Sequence, residues 1–146
     1  MTIHIRQAGP GDEQAVVELV REMAAGEEYS TAIDEHYVRH FLASPVSGVL
    51  LAVDGDDAVG LLSYATVPGL FHTADSGLIE MLVVTESRRG EGVGGRLVRA
   101  ALGLLEQAGC AEVSVSTGAD NEVAQKLYVD AGLNEASVLL ERHFER

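Results

Sequence analysis

The sequence predicts an α/β fold in one domain, a mixed and largely antiparallel sheet with helices on both faces. Three observations predict it. Short apolar runs typical of strands alternate with segments whose apolar residues recur at i, i+4 and i+8, in the order β-α-α-β-β-β-α-β-α-β. At 146 residues and 47% hydrophobic content, the chain can form one complete core and is short for two. No apolar stretch approaches the roughly 18 to 20 residues of a membrane span.

Residues 3–7 alternate as a short strand, and Pro10-Gly11-Asp12 gives a turn with Asp12 as the cap of a helix reaching about Ala25. Its buried stripe is Ala15, Val16, Leu19, Val20 and Met23, and Gly26 ends it. Residues 27–32 read as a loop, and a second helix through Tyr37, Val38, Phe41 and Leu42 stops before Pro45. Strands at 49–53 and 58–66 flank the turn Asp54-Gly55-Asp56-Asp57 and form a hairpin. Residues 67–76, which hold Pro68, Gly69 and His72, read as a loop. The strand 78–84 is apolar except at Glu80, which implies cover on both faces. Leu97, Ala101, Leu104, Leu105 and Ala108 mark the stripe of a long helix ending near Gly109. A strand at 112–117, a helix at 121–131 stopped by Gly132 and a final strand at 137–144 complete the order.

Charge narrows the partners. With 10 Lys and Arg against 23 Asp and Glu, the net charge is −13, which argues against nucleic acid, whose binding draws on phosphate neutralisation. A cationic substrate fits better. The amino terminus lacks a basic segment followed by an apolar one, so a cytoplasmic protein is expected, with no membrane partner. The lone Cys110 excludes an intrachain disulfide, and His4, His36, His40 and His143 show no metal-ligand spacing, so no metal is expected.

Against that acidic background, Arg88, Arg89, Arg96 and Arg99 crowd around four glycines in the six residues 90–95, between an apolar strand and an amphipathic helix. Glycines allow tight backbone turns and close approach, and a helix start offers unpaired N–H groups, so the segment reads as an anion cradle. A Walker loop would need Lys and Ser or Thr after the last glycine, where Arg96 and Leu97 stand. Gly90, Gly92 and Gly95 satisfy the dinucleotide pattern G-x-G-x-x-G. However, residues 85–89 separate it from the strand, and Glu112 begins its strand where a ribose contact would need the end of one. A glycine-rich turn without any ligand is the plain structural alternative.

Arg89-Gly90-Glu91-Gly92-Val93-Gly94 matches R-x-x-G-x-G and resembles the coenzyme A pyrophosphate motif of the GNAT superfamily of N-acetyltransferases. Asn121, Leu127-Tyr128 and Ala131-Gly132-Leu133 resemble the family's Asn…Leu-Tyr…Gly-Phe ending, with Leu133 in place of Phe. The resemblance covers about residues 78–133; it implies a sheet whose central strand pair splays apart, and acetyl-coenzyme A as acetyl donor. Backbone N–H groups of Arg89, Gly90, Glu91, Gly92, Val93, Gly94 and Gly95 would hold the pyrophosphate, with the arginines adding charge. Leu82, Val83 and Val84 would line the pantetheine arm, Val84 pairing with its amides and the Leu82 N–H facing the thioester carbonyl. Asn121 would fasten the pantetheine or simply cap its helix.

The resemblance makes Tyr128 the general acid for the leaving thiolate; its place on the stripe Ala124, Leu127, Tyr128, Ala131 equally suits a core residue. Glu80 is the leading base by physical reasoning. A buried carboxylate costs several kcal/mol unless paired or in use, and burial raises its pKa; the alternative is a solvent-facing or arginine-paired position. His72 is a weaker candidate base. Glu27, Glu28 and Tyr29 lie where similar enzymes build acceptor specificity, though a solvated charge run reads as well. The implied reaction is direct acetyl transfer from acetyl-coenzyme A to the primary amine of a small molecule or peptide. The alternative is an acyl-coenzyme A sensor or interaction module without turnover. Dimerisation is common among similar proteins, and no segment declares an interface.

Overall fold

A computed structural model describes residues 2–27 and 29–145; Glu28, named above with Glu27 and Tyr29, lies outside them. The elements are β1 (Ile3–Gln7), α1 (Glu13–Gly26), α2 (Glu35–Ala43), β2 (Ser47–Asp54), β3 (Asp57–Gly69), β4 (Ala74–Val84), α3 (Val93–Gln107), β5 (Glu112–Val115) and α4 (Glu122–Asp130). The five strands lie in chain order, antiparallel except for β4 and β5. That last pair is parallel because α3 crosses between its members.

Period-two alternation divides the apolar residues between two cores. Val49, Leu51 and Val53 of β2 face α1 and α2, where they meet Val16, Leu19 and Val38. Leu50 and Ala52 face the other way, toward Leu97, Val98, Ala101 and Leu105 of α3 and Tyr128 of α4. The sheet is therefore covered on both faces, as the two amphipathic helix pairs require.

Asp12 stands at the head of α1 as predicted, but its side chain makes no capping bond there. Instead its carboxylate takes two hydrogen bonds from Arg6, at 2.8 and 2.9 Å, and one from the Gly9 N–H at 2.8 Å. The Arg6 hydrogen bond, with help from Gly9, holds the Asp12 carboxyl below its ordinary range. A depressed pKa contributes stability above the unfolded value of about 3.9 and loses it as pH falls through the folded value. Asp12→Asn should thus lower stability at pH 7 by about 1 kcal/mol, the half-exposed Arg6 limiting the gain. Thermal unfolding at pH 7 and pH 3 checks this, because the difference from wild type should shrink at the lower pH.

Two predicted elements are corrected. Residues 67–76 are not a loop: β3 runs to Gly69, β4 starts at Ala74, and only 70–73 turn. Pro68 is tolerated because the Thr66 N–H donates to Val46 of the β2 side, so two residues on the missing N–H of Pro68 faces the same way, beyond the start of β2. Residues 137–144, predicted as a strand, pair with nothing among the described residues. Val138, Leu140 and Phe144 are exposed there, and the four-residue β5 ends the sheet. The strand propensity is present in the sequence, but no ladder among the described residues receives it.

Candidate active site

The site begins with an irregularity in β4. Its pairing with β3 runs Ser63 to Met81 and then Tyr64 to Ile79, leaving Glu80 as an extra residue without a partner. A bulge of this kind breaks alternation and re-aims side chains. Ile79, Leu82 and Val84 belong to the α3 side, Met81 and Val83 to the α1 side, and Glu80 joins Met81 in facing the cavity on the α1 side. The burial expected for Glu80 from the apolar run is not found, because the bulge brings it to the mouth of that cavity, exposed. There the Ser63 hydroxyl donates to its Oε1 at 2.5 Å. Ser63 is itself buried, 3% exposed, so the donor is fixed in the sheet.

The cavity has a volume of about 560 Å³ and lies between α1, the α2 segment and the sheet. Sequence reasoning missed Ser63, Asp34, His36 and Tyr37, which all line it. A signal for Ser63 was present: it interrupts one apolar strand as Glu80 interrupts the next, and the two strands pair. Glu27 and Tyr29 are exposed and outside the lining, which starts at Thr31 on that side. His72 is on the β3–β4 turn, 3.7 Å from the Glu112 carboxylate, and also lies outside the lining.

Beyond the bulge, β4 presents an open edge. Its ladder with β5 ends at Ile79 paired with Val115, while β4 continues to Val84. The Thr85 N–H donates to the Val59 carbonyl across the antiparallel ladder, so by alternation Val83 and Met81 also turn toward β3. Leu82 and Val84 therefore turn their backbone groups to the open edge. The Val84 carbonyl confirms the direction, since it accepts from Arg89 Nε at 3.0 Å. Among the residues of this edge, the Leu82 and Val84 N–H groups are thereby offered outward.

At the far end of β4 the chain makes a 3-10 turn (Glu86–Arg88) and enters the glycine segment. Gly90 and Gly92 hold φ of 80° and 82°, and a Cβ built on either would meet nothing within 4 Å. Open space thus stands over a backbone that only glycine adopts readily. Gly92 precedes α3, whose first intrahelical bond at this end runs from the Arg96 N–H to the Gly92 carbonyl. The N–H groups of Val93, Gly94 and Gly95 consequently lack helical acceptors. Gly94 packs where three elements converge: a Cβ there would stand 3.1 Å from Leu127, 3.7 Å from Leu82 and 3.8 Å from Val84.

The arginines differ from expectation. Arg88 bonds Asp54 at 3.0 Å and Glu91 at 3.2 Å, tying the loop to the β2–β3 turn, and Arg96 donates to the Ile3 carbonyl at 2.8 Å. Arg89 is half-committed to the Val84 carbonyl and lies 3.9 Å from Glu22. Arg88 and Arg96 brace the loop, the Arg99 guanidinium lies beside Gly95, and the backbone at Gly90 and Gly92 faces open space. In so acidic a chain, carboxylates are at hand to engage the arginines.

Beside the open edge of β4 stands α4, whose Leu127 meets Gly94 near Leu82 and Val84. Asn121 caps it, its Oδ1 accepting from the Ala124 N–H at 3.1 Å, so the capping reading is realised. Tyr128 is buried, 7% exposed, within the α3-side core, and burial pushes its phenol above the ordinary range. Among the described residues no sealed side-chain oxygen or nitrogen lacks a partner, and the Tyr128 hydroxyl has no protein hydrogen bond. The hydroxyl must therefore reach accessible space. No group of three or more potential metal ligands occurs among the described residues, nor any helix long and apolar enough to cross a membrane.

Comparison with known proteins agrees with this arrangement. An aminoglycoside acetyltransferase, meta-AAC0020, from an uncultured soil metagenomic sample in complex with sisomicin, superposes with a TM-score of 0.86 at 17% identity, over 99% of this chain and 96% of that one. Aminoglycoside N-acetyltransferase AAC(6')-Iy in complex with CoA gives 0.81 at 17% identity, over 99% and 96%. Glucosamine-6-phosphate N-acetyltransferase from Arabidopsis thaliana gives 0.81 at 18% identity, over 99% and 100%. These likenesses establish the fold. No curated protein matches the sequence. The model of the acetyltransferase (GNAT) family matches residues 14–133. Because that match runs from α1 to just beyond α4, and takes in the glycine loop, the open edge of β4 and Tyr128 alike, this chain is a GNAT-family acetyltransferase.

Proposed function

We propose that the protein transfers an acetyl group from acetyl-coenzyme A directly to a primary amine. The observation that carries the reading is the edge of β4, which offers the Leu82 N–H to solvent only two residues from a carboxylate held at the mouth of a cavity. Residues 89–95 fit a diphosphate, because Gly90 and Gly92 leave open space beside the unpaired N–H groups at the start of a 15-residue helix. The N–H of Val84 and the free amide nitrogen of Asn121 would hold the pantetheine arm, with the Val83 backbone completing that stretch of strand.

Bound acetyl-coenzyme A would supply the acetyl group as a thioester and leave as the thiol. Glu80 takes a proton from the entering ammonium, whose pKa of about 10.4 otherwise keeps it unreactive. Ser63 fixes the Glu80 carboxylate by donating to Oε1, so the remaining oxygen is free to face the acceptor. Leu82 N–H donates to an oxygen that gains negative charge, a contact worth roughly 3 to 4 kcal/mol in such sites. Tyr128, kept protonated by its buried position, holds at its hydroxyl the proton that the thiol requires.

The test is thiol release from acetyl-coenzyme A across an amine panel. Glu80→Gln should reduce kcat at neutral pH about 10²-fold or more, within the usual range for a lost base, while the Kd for coenzyme A stays within about twofold. Unchanged turnover in that variant would remove Glu80 from the chemistry. Binding of coenzyme A without thiol release from any amine would favour a sensor of the same fold.

A further inference from the structure

The cavity that Glu80 faces is lined mostly by apolar side chains, among them Val20, Ile33, Tyr37, Phe41, Leu61 and Met81. Its polar side chains are Thr31, Asp34, His36, Ser63 and Glu80 with the Tyr37 hydroxyl; the Thr31 hydroxyl accepts from the Ile33 N–H, and Ser63 donates to Glu80. The Asp34 carboxylate accepts from the Tyr37 N–H at 2.8 Å and so caps α2. Glu80 is left as the carboxylate that can meet an ammonium, and it sits on the sheet side beside Ser63. A polyamine or an amino sugar with several ammonium groups would bring further positive charges against a lining whose only other carboxylate, Asp34, is engaged at the head of α2. A volume of about 560 Å³ also exceeds what a short alkylamine fills.

We infer that the acceptor, on the reading of the site as an amine acetylation centre, is a monoamine carried on an apolar, ring-sized body. The ammonium meets Glu80, and the body packs between Tyr37 and Phe41 of α2 and Met81 of β4. Tyr37 is 59% exposed, at the rim of the cavity, so it closes over the body without belonging to the core.

The experiment compares kcat/KM for 2-phenylethylamine, ethylamine, spermidine and kanamycin with acetyl-coenzyme A, in the wild-type chain and in Tyr37→Ala. 2-Phenylethylamine should exceed ethylamine by at least about 10-fold, since even one methylene in an apolar pocket is worth that much. Spermidine and kanamycin should fall below it. Tyr37→Ala should cut the ratio of 2-phenylethylamine to ethylamine about 5-fold or more, with circular dichroism confirming an unchanged fold. Faster transfer to spermidine or kanamycin would overturn the substrate class and leave amine acetylation standing. A preference for the ring that survives Tyr37→Ala undiminished would place the body elsewhere and overturn the assignment. Silence toward the whole panel would overturn the acetylation reading and this inference together.

Discussion

Gly92→Val is expected to raise the Kd for coenzyme A by about 10² to 10⁴-fold. Gly92 holds φ at 82°, a conformation in which a β-branched residue is an outlier. Valine therefore either strains the turn by about 1 to 2 kcal/mol or swings it toward negative φ. In the second case the N–H groups at the start of α3 turn away from a bound diphosphate, and two charge-assisted hydrogen bonds of about 1.5 to 3 kcal/mol each are lost. Even where the turn holds, the added side chain enters the open space above it. Calorimetry with coenzyme A measures the loss, and circular dichroism should show a folded chain. Gly103→Ala is the control, because that glycine lies within α3, meets nothing within 4 Å and adopts no left-handed φ. Its affinity should be unchanged; equal binding by the Gly92 variant would dismiss the cradle.

The second large effect concerns Tyr128. Tyr128→Phe should lower kcat by about 10² to 10⁴-fold while leaving the Kd for coenzyme A within about twofold. Stability should hardly move, since the variant keeps the buried ring and deletes a hydroxyl that has no protein partner among the described residues. The pH profile carries a sign. An acid loses its function as pH rises through its pKa, and burial raises this one, so wild-type activity should not fail from this group until above about pH 10, the value of a free phenol. If the Tyr128→Phe variant sustained wild-type kcat, the tyrosine would be core packing alone.

Much of this was legible in the sequence because it depends on local chemistry. The glycine loop, the helix stripes, the Asp54-Gly55-Asp56-Asp57 turn and the Asn121 cap each need only residues within a few positions of one another. The length of the β3–β4 hairpin was misread because Pro68 normally marks a break; its place beyond β2 depends on register, which no single strand encodes. The same holds for residues 137–144, whose composition suits a strand and whose pairing is not decided by composition. Glu80 was found but its surroundings were not. Burial was inferred from apolar neighbours, whereas a bulge, invisible in residues 78–84 alone, turned the side chain outward and gave it Ser63. The arginines were legible as a cluster, but not the carboxylates Asp54 and Glu22 that reach Arg88 and Arg89 from distant parts of the chain.

β4 lays eleven residues, Ala74 to Val84, against a stretch of β3 that supplies ten partners. The acid that faces the acceptor is thus stored as a miscount between two neighbours, not as a property of any one side chain. Shortening β4 by that single surplus position would let the ladder close in an unbroken rhythm, with Ile79 and Met81 keeping their faces, and the β3–β4 pair would lose its irregularity and its acid in one step.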